Sequence, residues 1–306
     1  MIFKVSKPIN FSKHYKRMNI FSFLLLIISF LLILFKGLNF GVDFKGGTLI
    51  ELRTSNSNIN ISEIRQSLLK MNLGDVTVKK FGKVNDYLIK IEITNTEDPN
   101  FIKSINDQLS SDLSSEMNFR RVENVGPKVS DELLKAGLLA ICLALAAMLF
   151  YIWIRFEWQF SIAAISAIIH DVLITLGIFS FLSYEVNLSI VAAVLTIVGY
   201  SMNDTVVIFD RIRENLKKYS RISISEISDI STNETLSRTI ITSTTTLLAL
   251  FSIFIFGGSI LKGFSFAMIV GVIIGTYSSI FVATPILNYT NVNSKTVLKE
   301  DNKDNI

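Results

Sequence analysis

Three ionisable side chains fall inside long apolar runs. Asp171 follows His170 in one run, Asp204 follows Asn203 in the next, and Arg238 stands at the entry to a third. An ionised aspartate held against lipid at mid-bilayer costs roughly 2.5–3.5 kcal/mol even on the lenient insertion scale. Such a group belongs in a bundle interior, a water-filled crevice or a pair. Thr196, Gly199, Tyr200, Asn203 and Asp204 recur at three- and four-residue spacing and share one helix face. Arg238, Thr242, Thr245 and Thr246 form a second polar stripe. Hydroxyls and an amide beside a carboxylate can hold a short water chain. A nearby guanidinium and desolvation act on that carboxylate in opposite senses. A movement that changed the Asp204–Arg238 distance would therefore change proton affinity, which is the minimum needed to couple proton passage to motion.

A static reading stands beside this one. An intramembrane Asp–Arg pair can simply tie two helices, and threonines bond back to the preceding turn. An arginine near a helix end can snorkel to the headgroups. His170 and Asp171 are adjacent, roughly 100° apart on a helix, and need not act together. Asp210, Arg211 and Arg213 read as a solvated cap and topology signal. In the last apolar run, Ala267, Gly271, Gly275, Ser279 and Ala283 place a small residue at every fourth position, which lets a neighbouring backbone come close.

Other chemistry is excluded. The 306 residues include one cysteine, Cys142, and two histidines, His14 and His170. Disulfides within the chain and a metal centre are not expected. Gly46-Gly47 lacks a P-loop pattern around it and reads as a turn. The motif spacing of an intramembrane aspartyl protease is absent. No enzyme and no cofactor is expected; the energy source open to intramembrane charges is a proton gradient. Charged residues make up 18% of the chain, against about 25% in soluble domains. The +4 net charge suits anionic lipid headgroups better than nucleic acid.

These residues must be positioned by membrane spans. With about 20 apolar residues as the crossing length, six spans are expected at residues 19–35, 134–154, 158–182, 188–209, 239–256 and 264–287. The first reads as a retained anchor, since no small-x-small cleavage site follows it. Lys4, Lys7, Lys13, Lys16 and Arg17 precede the first span, Arg155 follows the second, and Arg211, Arg213, Lys217, Lys218 and Arg221 follow the fourth. The positive-inside rule then puts both termini in the cytoplasm, with residues 1–18 as a cytoplasmic N-terminus, 210–238 as a cytoplasmic loop and 288–306 as a polar, disordered tail.

Residues 36–133 read as a small extracytoplasmic α+β domain. Thr48–Thr54, Val76–Phe81, Tyr87–Ile93 and Asn118–Val125 alternate like strands, with a turn through Gly82 to Asp86. Ile61–Met71 has helical spacing, and Pro99 opens a second helix carrying Phe101, Ile102, Ile105 and Leu109. The order βαββαβ is that of a ferredoxin-like unit.

Five stretches carry a resemblance: GVDFKGGT (Gly41 to Thr48), VENVGPKVSDELLKAG (Val122 to Gly137), HDVLITLGI (His170 to Ile178), GYSMNDTVVIFDRIREN (Gly199 to Asn215) and TLSRTIITSTTT (Thr235 to Thr246). Over nearly its whole length the chain resembles the SecF family, the smaller partners of SecD in the bacterial SecDF complex, within the RND superfamily. The resemblance implies six spans forming one RND half, completed by SecD, in the inner membrane. It implies assistance to the SecYEG translocon, with YajC as a further partner and the translocating preprotein as cargo, driven by the proton-motive force. It implies a proton path through Asp204 and Arg238, with Asp171, Asn203 and Thr242 secondary. An RND-type exporter of small molecules or lipids is the alternative. A third reading gives the chain only a structural role in completing SecD.

Overall fold

The computed structural model describes residues 8–56, 59–80, 85–92, 100–219, 221–290, 292–294 and 296–297. In chain order the elements are a short 3-10 turn Ser12–His14, α1 Tyr15–Phe35, β1 Asn39–Phe40, α2 Val42–Lys45, β2 Gly47–Thr54, α3 Ile61–Leu69, β3 Val76–Lys80, β4 Asp86–Ile91, α4 Phe101–Leu113, β5 Met117–Val125, α5 Pro127–Arg155, α6 Trp158–Leu182, β6 Glu185–Val186, α7 Leu188–Lys218, α8 Ile224–Phe256, α9 Gly258–Ser278, a π-turn Ser279–Ala283, and α10 Thr284–Tyr289. They fall into two compact units, residues 1–39, 140–184 and 189–306 in the first, 40–139 and 185–188 in the second.

The first unit is a helical bundle. Among the described residues, six helices or helical runs are long and apolar enough to cross a membrane. In α6, in α7 and in the run through α9 and α10, half or more of the most apolar stretch is buried; in α1, α5 and α8 the share is only 11–17%. The outward residues of the peripheral helices are themselves apolar, Phe23, Leu24, Leu34, Leu139, Leu143, Phe150 and Trp153 among them. Exposed apolar surface on this scale needs a hydrocarbon solvent rather than water. The chain is a multi-pass membrane protein.

Small residues set the helix spacing. A Cβ at Gly271 would come within 2.3 Å of Ile197 Cγ1, and one at Gly177 within 2.4 Å of Ser29 Cβ. The small-residue stripe of α9 therefore does what its period implied. Past Ser278 the helix widens into the π-turn. Pro285 has no N–H for the carbonyl four residues back, and its ring crowds that carbonyl. One wider turn absorbs the mismatch, and Thr284 Oγ1 donates to Ser279 O at 2.8 Å.

Helices α7 and α8 run well past the expected spans. They leave only a short connection between Lys218 and Ile224, so most of residues 210–238 is helical rather than loop. Ser223 caps α8, its Oγ accepting from Glu226 N at 3.3 Å. Described residues of both polar ends pack against the bundle. Ile9 exchanges two hydrogen bonds with the Asn233 amide, and Ser12 donates twice to the Asp229 carboxylate. Phe11, Val292 and Val297 are buried in the bundle core. Hydrophobic side chains spaced through otherwise polar sequence anchor these segments.

The second unit is a four-stranded antiparallel sheet in the order β3-β4-β2-β5 with α3 and α4 on one face. This is the expected βαββαβ arrangement. Ile50 stands between Ile89 and Val122, and a bulge falls between Glu51 and Leu52. Ile50, Ile64, Leu68, Ile89, Ile105 and Leu109 are fully buried. Asn60 and Glu63 form a capping box at α3. Arg53 grips Asp86 with both arms, at 2.6 and 2.8 Å. Gly82 of the expected turn, Pro99 at the expected helix start and the tail beyond Val297 lie outside the described residues.

Gly46-Gly47 is the turn it seemed. Their φ values are +76° and +119°, and a Cβ at Gly47 would stand 2.5 Å from Ile91 O. Only glycine lets β2 enter the sheet beside β4 at that point. The preceding loop is fastened within the same unit: Leu188 N donates to Asp43 Oδ2 at 2.9 Å, and Lys90 Nζ to Phe40 O at 2.9 Å. Burial there holds the Lys90 ammonium below its ordinary range, with Glu185 partly offsetting it.

Candidate functional site

Two polar clusters occupy the bundle. The first centres on Asp204 of α7. This carboxyl is 3% exposed, and its Oδ2 is buried without a hydrogen-bond partner among the described residues. Its electrostatic neighbours are Arg238 and the Ser243 hydroxyl, both on α8. Ser243 Oγ lies 2.7 Å from Thr276 Oγ1 of α9 and accepts from Tyr200 OH at 3.4 Å. Arg238 is exposed. The structure thus brings Asp204, Tyr200, Ser243 and Thr276 together, with Arg238 at the edge.

Other members of the two stripes do not join them. Asn203, next to Asp204, faces outward, as do Thr196 and Thr245. Thr242 Oγ1 donates back to Arg238 O and Thr239 O, both at 3.0 Å. Thr196 and Thr245 also bond back within their own helices. For these threonines the bland reading holds: the hydroxyl satisfies itself locally.

The second cluster centres on Asp171 of α6, which is fully buried. His170 Nδ1 lies 2.9 Å from its Oδ1. Ser201 of α7 donates to Oδ2 at 2.6 Å, and Ser278 of α9 donates to the same oxygen at 2.8 Å. The two adjacent side chains are in contact, which their angular separation did not require. The His170 ring also stacks on Tyr277, 6.2 Å between centroids, and Tyr277 OH reaches Ser22 Oγ at 2.8 Å.

Sequence reasoning missed Ser201, Ser243, Thr276 and Ser278. One signal was available. Gly275 belongs to the small-residue stripe, and a Cβ there would stand 3.1 Å from Ser201 Cβ and 3.5 Å from Asp171 Oδ2. A glycine stripe on one helix marks where hydroxyls of its neighbours can reach a buried acid.

The charges at the end of α7 are more than a solvated cap. Arg155 pairs with Asp210 at 3.0 Å, Arg211 with Glu234 at 2.6 Å, and Arg213 with the buried Glu157 at 3.1 Å. They brace the helical extension of α7 against α8 and against the α5–α6 corner. No group of three or more His, Cys, Asp or Glu that could hold a metal occurs among the described residues.

Comparison with known proteins supplies the context for this arrangement. Residues 105–293 match the family described as protein export membrane protein SecD/SecF, C-terminal, and residues 31–57 match the SecD/SecF GG motif. The chain belongs to the SecD/SecF family. Protein translocase subunit SecF of Rickettsia bellii is 44% identical over 270 residues, covering 87% of this chain and 88% of that protein. Its counterpart in Cereibacter sphaeroides is 42% identical over 281 residues, covering 89% and 86%. The one in Desulfurispirillum indicum is 46% identical over 260 residues, covering 83% and 82%. Among solved structures, SecDF from Thermus, described as a translocon-associated membrane protein, superposes with a TM-score of 0.86 at 32% identity over 95% of this chain. A second SecDF structure, in a super-membrane-facing form, gives 0.70 over 99% of this chain, also at 32% identity. This chain spans 40% and 41% of the length of those two SecDF chains. Its role lies in protein translocation, and the small-molecule exporter reading is not favoured. The GG motif is the Gly46-Gly47 turn whose geometry excludes any side chain at Gly47.

Proposed function

We propose that this chain is the smaller half of a proton-driven membrane assembly that helps preproteins across the bacterial inner membrane, with SecD as its other half and the SecYEG translocon, joined by YajC, as the machine it assists. Both termini lie in the cytoplasm and the α+β unit on the far side. Asp204 takes up and releases the proton. Arg238 modulates its charge, and Asp171, Asn203 and Thr242 stand second. No cofactor takes part and no covalent chemistry is catalysed.

The observation that carries this reading is the incomplete satisfaction of Asp204. A buried carboxyl oxygen without a partner is costly and so is retained for a reason other than stability. Protonation relieves that cost, and deprotonation restores it. Exposed polar residues on spanning helices, Asn203 and Arg238, add support, because a lipid-facing amide or guanidinium would be expensive. They fit a protein partner on that side. One proton crossing 100 mV releases about 2.3 kcal/mol, enough to shift a two-state equilibrium by about fifty-fold.

The test is proton flux in vesicles holding the assembled complex. Asp204→Asn should leave the complex assembled, abolish flux and remove the proton-dependent stimulation of secretion. Arg238→Met should reduce both. Wild-type secretion by Asp204→Asn in depleted cells would refute the reading.

A further inference from the structure

Asp171 and Asp204 lie on neighbouring helices, and the hydrogen bonds around them run through the same two elements. Helix α7 carries Ser201, which donates to Asp171, and Asp204 one helical turn later. Helix α9 carries Ser278, which also donates to Asp171, and Thr276, which meets Ser243 beside Asp204. One carboxylate on α6 therefore holds both helices that build the surroundings of the other. We propose that Asp171 is a positioning residue for Asp204: through Ser201 and Ser278 it fixes α7 and α9 so that the Ser243 hydroxyl is presented to the Asp204 carboxyl. This rests on the reading of Asp204 as the proton-bearing group.

Three features fit a register-setting role. Asp171 is fully buried, and each of its oxygens has a partner, so it has no open position toward solvent. Gly275 brings α9 close enough for both serines to share one oxygen. The π-turn begins at the residue after Ser278. A π-turn is a place where a helix changes register by one residue, so the hydroxyl donated to Asp171 is selected at the boundary between two registers. Were α9 to slip there, Ser279 would replace Ser278 and Thr276 would leave Ser243. At present Ser279 Oγ bonds back to Thr276 O at 3.0 Å.

The measurement is infrared difference spectroscopy of the membrane-embedded chain co-expressed with SecD, at neutral against acidic pH. The carboxylic C=O band lost in Asp204→Asn reports the hydrogen bonding of Asp204. Ser278→Ala and Ser201→Ala should each move that band to higher frequency, as for a carboxyl that loses a hydrogen-bond donor, in complexes of normal mass. Ser279→Ala should leave it in place. An unmoved band in both serine variants, or an equal movement in Ser279→Ala, would overturn the positioning role while leaving Asp204 as the proton site. Absence of any band removed by Asp204→Asn would instead overturn the proton-site reading itself, and the positioning role with it.

Discussion

The two buried aspartates of the bundle differ in how completely they are satisfied. Asp171 is fully buried and has His170, Ser201 and Ser278 on its carboxylate. Asp204 is 3% exposed, has one oxygen without a partner among the described residues, and has its cation at the exposed edge. A buried charge whose partners are complete acts as a tie between elements, since every group around it would lose by moving. A buried acid whose partners are incomplete is held less firmly by its surroundings, which is what the proposed proton-bearing role requires. The same residue type does opposite work according to how many donors the neighbouring helices bring.

The sharpest way to break this contrast is to delete each carboxylate. Asp171→Ala strands a histidine and two serines inside the bundle and should cost about 1–3 kcal/mol for each group left unsatisfied, seen as a large fall in the melting temperature of the purified complex. Asp204→Ala should stay within about 1 kcal/mol of wild type, because Arg238 is exposed and no buried cation is stranded. Equal losses would erase the distinction. Next in size, Ser201→Ala and Ser278→Ala each remove one hydrogen bond to the buried Asp171 carboxyl, worth about 0.5–1.5 kcal/mol, and should lower the same melting temperature by intermediate amounts. Thr242→Val removes only a hydroxyl that bonds back to its own helix. It should change stability by less than about 0.5 kcal/mol, and an unchanged proton flux would strike Thr242 from the proton path.

The smallest effect belongs to an exposed carboxylate used as a control. Asp112 of the α+β unit is held down to about 2, from an ordinary 3.8, chiefly by the Lys70 ammonium, which donates to its Oδ2 at 2.7 Å. Its folded-state affinity for a proton is depressed, so its contribution is complete above about pH 4 and is lost as pH falls through about 2. Lys70→Met should flatten that part of the acid sensitivity in melts taken between pH 5 and 2, with little change at pH 7.

The α+β unit was legible because its signals are local. Alternation in Asn118–Val125 and the 3.6-residue recurrence of Ile61, Ile64 and Leu68 follow which face of each element is covered, whereas Thr48–Thr54 is buried on both faces, and the sheet order follows from few allowed connections. The spans were legible from apolar length. Their ends were not: α7 and α8 continue as polar helices braced by Arg211–Glu234 and Arg213–Glu157, pairs between elements far apart in sequence. For the site, Asp204 and Asp171 announced themselves as charges in apolar runs. Their standing relative to each other did not, because Ser201, Ser278 and Ser243 look like ordinary small residues until α9 is packed against α6, α7 and α8.

Composition and periodicity alone determined that the chain crosses a membrane six times, where the α+β insertion begins, and which carboxyls must be hidden from lipid. Those are properties of each segment against its solvent. Tertiary structure decided which of the hidden carboxyls is saturated and which is left wanting, since a hydrogen bond needs its donor within about 3 Å. Only the approach of one helix to another, permitted here by Gly271 and Gly275, places a hydroxyl that close.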